Sequence, residues 1–296
     1  MPGVMIVADS NSGVTQEQAA RLGIEVIPMP FIINDKTYYE GVDLSQDQFF
    51  RYLQENADVS TSQPSPGDIT DTWDRCLEKY DEIVYLPMSS SLSNSCETAM
   101  ALAQDYDGKV QVVDNKRISV PQYQAILDGL AMVRAGKSAA EIKNELELAG
   151  ADFSVYITVD TLKYLKKGGR ISGAEAALGT MLHIKPVLQL GAGKLEAISK
   201  CRGMKAARRA MIHALQSDLE GELKDYHEQG KLQIMTAYAG VSEETLNEWN
   251  QEVKEAFHVD YIETAPLTLS IACHVGAGVL GIGATRIICA DSDTSH

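Results

Sequence analysis

Two hydroxyl-rich segments hold the side chains best suited to chemistry. Thr61-Ser62 lies ahead of Gly67-Asp68, where a helix opens, and Ser93-Asn94-Ser95 stands where a strand hands over to a helix. The first turn of a helix exposes unpaired N–H groups at the positive end of its dipole. Hydroxyl donors added to them make a site for a carboxylate or a phosphate. Serine is also an ordinary N-cap, and on residue types alone that reading of Ser93 stands beside the first. His274, followed by the glycine turn Gly276-Ala277-Gly278, offers an imidazole from the other half of the chain.

Other constellations are weaker. Ser93, His274 and Asp9 can be written as nucleophile, base and orienter. No G-x-S-x-G elbow occurs, however, and almost any chain of this length offers such a trio. The run from Gly276 to Gly281 matches G-x-G-x-x-G. Only 15 residues follow it, too few for a βαβ unit with an acidic residue about twenty positions on, so it reads as a glycine-rich turn. Gly136-Lys137-Ser138 echoes a phosphate loop, but Ala131 occupies the place of its first glycine. Gly136 is better placed to end one helix, and Ser138 with Glu141 to cap the next. The five Cys include no C-x-x-C pair and the six His no H-x-x-x-H pair. Neither a metal site, nor a disulfide framework, nor any cofactor is expected, and the compartment is a reducing, cytoplasmic one.

The elements that must position these groups follow from pattern. Short apolar runs alternate with amphipathic segments, the signature of α/β architecture. Strands are expected at 4–8, 83–86, 110–113, 153–159, 232–238, 259–264 and 268–273, with 24–33 extended and broken at Pro28 and Pro30. Residues 187–190 and 195–198 form a hairpin. Thr15 with Gln18, and Ser45 with Gln48, make capping boxes. The pattern changes near residue 155, giving two α/β domains, 1–155 and 156–296.

Composition narrows the partners. The chain has 296 residues and a net charge of −15, which opposes nucleic-acid binding and attraction to anionic membranes. Residues 163–209 depart from this, with eleven Lys or Arg against only Glu175 and Glu196. Residues 264–285 carry no Asp, Glu, Lys or Arg, yet Pro266 and several glycines argue against a membrane span.

Four blocks carry a resemblance. TSQPSPG at 61–67 resembles the signature of the DegV family of fatty-acid-binding proteins. Ser89 to Ser95 is similar to its SSGLSGT block, 160–172 is nearly its DTLKYLKKGGRIS block, and His274 to Gly278 resembles HxGPG. Asp9-Ser10-Asn11-Ser12 and Lys185-Pro186 also fit. The resemblance spans almost the whole chain. It implies two α/β domains with a long-chain fatty acid in a slot between them. It also implies a role as the binding subunit of a bacterial fatty acid kinase: a non-enzymatic carrier that presents the carboxylate to a separate ATP-dependent kinase for phospholipid synthesis. By resemblance, Thr61, Ser62, Ser93, Asn94 and His274 form the carboxyl site, with Arg170 and Arg202 near its mouth. Ser91 and Asn94 stand where the family usually has Gly, which raises a left-handed backbone at Asn94 as an expectation. The competing readings are an acyl hydrolase or transferase using Ser93 and His274, and a lipid sensor with no kinase.

Overall fold

The computed structural model describes residues 3–171, 184–190 and 195–289. The first sheet is all parallel: β1 (Val4–Asp9), β2 (Glu25–Ile27), β6 (Glu82–Leu86) and β7 (Val110–Val112) in the order β2-β1-β6-β7. Successive side chains of a strand point to opposite faces. Accordingly Val4, Ile6 and Ala8 of β1 join a core with helices Val120–Arg134 and Ala139–Leu148. Met5 and Val7 join a second core with Trp73 and Cys96, from helices Pro66–Leu77 and Ser95–Ala103. A strand buried on both faces explains why β1 reads as a continuous apolar run.

A small antiparallel sheet, β4-β3-β5, is built from β3 (Pro30–Ile33), β4 (Lys36–Tyr39) and β5 (Val59–Thr61). Asn34 and Asp35, both at positive φ, make the tight turn between β3 and β4. Ser45 and Gln48 form the expected capping box on helix Gln46–Gln54, which lays Phe49 and Leu53 on this sheet.

The third sheet is mixed and six-stranded, in the order β10-β9-β8-β13-β11-β12. Its strands are β8 (Phe153–Thr158), β9 (Ile184–Leu190), β10 (Leu195–Arg202), β11 (Leu232–Ala239), β12 (Glu263–Pro266) and β13 (Val279–Arg286). One face packs Tyr156, Leu280 and Ile282 against helices Met204–Glu220 and Glu243–Phe257. The other turns Ile157, Val159 and Val279 toward Leu92 and Ile118 of the first half. The fold is therefore two α/β halves facing one another, with the inner face of the large sheet at the seam.

Two expectations fail in the same stretch. Residues 268–273 are not a strand: Leu269–Val275 is a helix. Leu269, Ala272 and Cys273 enter one core while Leu267, Ile271 and Val275 enter another. A short helix buried on two sides loses its 3.6-residue pattern, and the remaining apolar residues happened to alternate. The run from Gly276 to Gly281 is a turn only as far as Gly278, because Val279–Arg286 is β13, paired on both edges. The strand expected at 259–264 lies at Glu263–Pro266. Among the described residues no helix is long and apolar enough to cross a membrane.

Candidate functional site

The loop from Met88 to Asn94 is tied to the first sheet at several points. Asp9 accepts Met88 N–H at 2.6 Å, and Ser89 N–H donates to Arg117 O at 2.9 Å. Ser90 Oγ donates to Asp114 at 2.6 Å and accepts from Lys116, whose ammonium also pairs with Asp114. Ser93 N–H donates to Ser89 O, folding the loop so that Ser93 precedes helix Ser95–Ala103. Ser93 Oγ accepts Ser95 N–H at 3.2 Å. A hydroxyl that accepts one bond still has a proton to donate, so the capping and anion-binding roles coexist in this side chain. Asn94 makes no cap bond and sits at φ −74°, so the left-handed backbone does not occur there.

Thr61 ends β5, and its hydroxyl lies 2.8 Å from His274 Nε2. Ser62 follows, its N–H on Pro30 O and its hydroxyl on Gln63 O. The helix expected to open at Gly67-Asp68 starts at Pro66, capped by Ser65, so Thr61-Ser62 lies ahead of it without capping it. Thr98 Oγ1 donates to Gln63 Oε1 at 3.2 Å, linking the two hydroxyl-bearing segments.

His274 projects from helix Leu269–Val275. Burial, helped by the nearby charge of Arg170, pulls its pKa down to about 4, so the imidazole is neutral at physiological pH. Its Nδ1 is buried and has no hydrogen-bond partner among the described residues. The ring fits because position 168 is glycine: a Cβ there would lie 2.1 Å from Nδ1. Arg170, just beyond helix Lys163–Gly168, donates from Nε to Leu92 O at 3.2 Å and from Nη1 to Gly168 O, joining the two halves.

Thr61, Ser62, Ser93, Asn94, Arg170 and His274 all line one cavity of about 470 Å³. Arg202, at the exposed end of β10, is not among its lining residues. Glu175 and Lys194 of the basic segment lie outside the described residues. Within that segment Lys167 pairs with Asp58, Lys185 with Asp160, and Arg208 lies between Glu248 and Glu252.

The trio of Ser93, His274 and Asp9 is not assembled as a relay. Burial raises the Asp9 pKa to about 6, and its oxygens hold Met88 N–H, Asn11 N–H and the Gln122 amide. Asp9 thus fixes the loop that carries Ser93 rather than the imidazole.

Sequence reasoning expected an acyl slot between the halves by resemblance but named none of the residues that wall it. Leu92, Ile118, Leu195, Ile271 and Val275 line the polar cavity and also a second, smaller one of about 90 Å³. That second space runs between the inner face of the large sheet and the start of helix Val120–Arg134. Sequence reasoning named Asn11 in a family block without foreseeing its link between the halves, where its Oδ1 accepts from Ser270 Oγ at 2.6 Å and Thr268 Oγ1 at 3.2 Å. Ser270 was hidden within a segment read as a strand.

The profile described as "Uncharacterised protein, DegV family" matches residues 3–286. The chain belongs to the DegV family. A DegV domain-containing protein of Deinococcus radiodurans is 36% identical over 205 residues, covering 69% of this chain and 73% of that one. A solved structure described as fatty acid binding of a DegV family protein, from Thermus thermophilus, is similar with a TM-score of 0.85 and 32% identity, covering 97% of this chain and all of that one. DegV of Bacillus subtilis, described as a fatty acid binding protein, shares the fold at a TM-score of 0.82 and 24% identity, covering 97% of this chain and 100% of that chain. Within this DegV-family fold, the blocks around Thr61, Ser93, Arg170 and His274 meet at one cavity although they lie far apart in the chain.

Proposed function

We propose that this protein binds a long-chain fatty acid with its carboxylate in the polar cavity and its acyl chain in the apolar passage. The observation that carries the reading is the continuity of the two spaces through Leu92, Ile118, Leu195, Ile271 and Val275. A carboxylate leaving water needs several donors. The hydroxyls of Thr61 and Ser93 and the Arg170 guanidinium supply them, with the His274 imidazole orienting Thr61 through Nε2. Ser62 and Asn94 complete the rim. The acyl chain needs a dry wall, and each buried methylene contributes about 0.8 kcal/mol.

The carrier then presents its carboxylate to a separate ATP-dependent fatty acid kinase, which forms the acyl phosphate. Support for this step is the excess of basic residues on and beside β10, where Arg202 is exposed and free to meet a phosphate-bearing partner. Chemistry by the protein alone has less support, since Asp9 is committed elsewhere and Thr61 occupies His274 Nε2.

Denaturing extraction followed by mass spectrometry tests the binding step, with a long-chain fatty acid expected at about one per chain. Repeated extraction of no lipid would reject it. Adding kinase and ATP to loaded protein tests the second step: Arg202→Ala should slow acyl-phosphate formation while leaving fatty-acid affinity unchanged. Equal rates would return the basic face to mere solubility. Acyl esters incubated with the protein alone should stay intact, and their hydrolysis would favour the enzyme reading.

A further inference from the structure

The apolar passage has a scale set by strand register. Ile157, Gly281 and Ala237 sit opposite one another across β8, β13 and β11, and Val155, Gly283 and Met235 form the next rung. All six line the passage. β13 starts just after the turn that follows His274, so the rung at Gly281 is nearer the polar cavity and the rung at Gly283 lies deeper. Two residues of strand separate them by about 6.8 Å, the length of several methylenes.

Glycine lowers the floor along β13, so the bore is shaped by the side chains of its two neighbours. At the deep rung a Cβ on residue 283 would meet Ser154 O at 2.7 Å, so that floor position is closed to any side chain. Bulk on the β11 side is free to vary: a methyl group at Ala237 and a long thioether at Met235. Met235 is buried, on the face of β11 opposite Ile234, which packs toward the outer helices. Across from the sheet stand Val120 and Pro121 at the start of their helix.

We propose that Ala237 and Met235 are the residues that set how far a bound acyl chain reaches, Ala237 by leaving the near rung open and Met235 by filling the deep one. The assignment rests on the fatty-acid reading given above, and it predicts opposite signs for two substitutions. Enlarging residue 237 blocks the passage early and favours shorter chains. Removing the Met235 side chain extends the passage and favours longer ones, since its flexible thioether now fills the end.

Delipidated wild type, Ala237→Leu and Met235→Ala are each titrated with a series of saturated fatty acids of increasing length. Relative to wild type, Ala237→Leu should lose about tenfold in affinity for the longest ligands while keeping the short ones. Met235→Ala should move the optimum to longer chains. Ala237→Val, a smaller addition, replaces the leucine variant if that one fails to fold. Folded variants that keep the wild-type order of chain lengths would overturn the assignment alone. Wild type that binds no member of the series would instead overturn the fatty-acid reading on which it rests.

Discussion

The polar cavity and the apolar passage are halves of one space, yet they are built by opposite rules. In the cavity the functional side chains are tied to named partners: Thr61 on His274 Nε2, Ser93 on Ser95 N–H, Arg170 on Leu92 O. A buried donor or acceptor left unpaired costs about 1–3 kcal/mol, so these positions tolerate few alternatives. In the passage Leu92, Ile118, Ile271 and Val275 need only be apolar and of suitable volume. Identity matters at one end and volume at the other.

Gly168→Ala is the harshest way to break the contrast. Residue 168 is not at positive φ and carries no polar side chain, yet a Cβ there would overlap the His274 ring. Displacing His274, and with it the Arg170 contact on Gly168 O, should weaken fatty-acid binding by about a hundredfold or more, as expected for two charge-assisted bonds. In a Gly168→Ala, His274→Ala double variant the overlap is gone, so thermal stability should recover while binding does not. Recovery of binding as well would show that the imidazole is dispensable.

A milder pair sharpens it. Ser93→Ala should cost about 1.5–3 kcal/mol of affinity, ten- to a hundredfold, with the melting temperature lowered only slightly by the lost cap. Ile271→Leu, which conserves volume in the passage, should change affinity by less than about threefold. Isothermal titration of both against one fatty acid decides the matter. A larger effect from the passage variant would invert the comparison.

The smallest effect is on pH dependence. His274 is held near pKa 4 by burial and by Arg170, below its ordinary 6.5. Its contribution to stability is therefore complete above pH 6.5 and is lost as pH falls toward 4, where the unfolded chain takes up the proton first. Asp9, raised to about 6 by burial, works the other way: its charge burdens the fold above pH 6 and is relieved as pH falls. The two largely offset one another in the wild type. The stability gap between wild type and His274→Gln should isolate the histidine and narrow from pH 7.5 to pH 5. A gap that stays constant would mean that His274 titrates normally.

The same contrast explains what was legible in the sequence. Asp9 and His274 are polar residues in apolar runs, and Thr61 and Ser93 stand in hydroxyl-rich segments at element ends, so all four stand out. Strands β1 and β6 were legible because they are doubly buried runs bounded by turns. Ile118, Ala237 and Met235 carry no signal of this kind, since a wall residue and a core residue look alike until the halves are set together. Helix Leu269–Val275 was misread for the same reason: it is shared by two cores, and periodicity reports only a single buried face.

That shared helix also bears on the order in which the molecule can be made. Phe31, Ile33 and Phe49 are covered by Leu269, Ala272 and Cys273. As the chain emerges from the ribosome, the small sheet therefore waits without this part of its cover until helix Leu269–Val275, far along the chain, arrives. Contacts this distant in sequence close late. His274 belongs to the same helix, so the carboxylate site is completed in the same late step, and a nascent or C-terminally truncated chain has no mouth with which to capture a lipid.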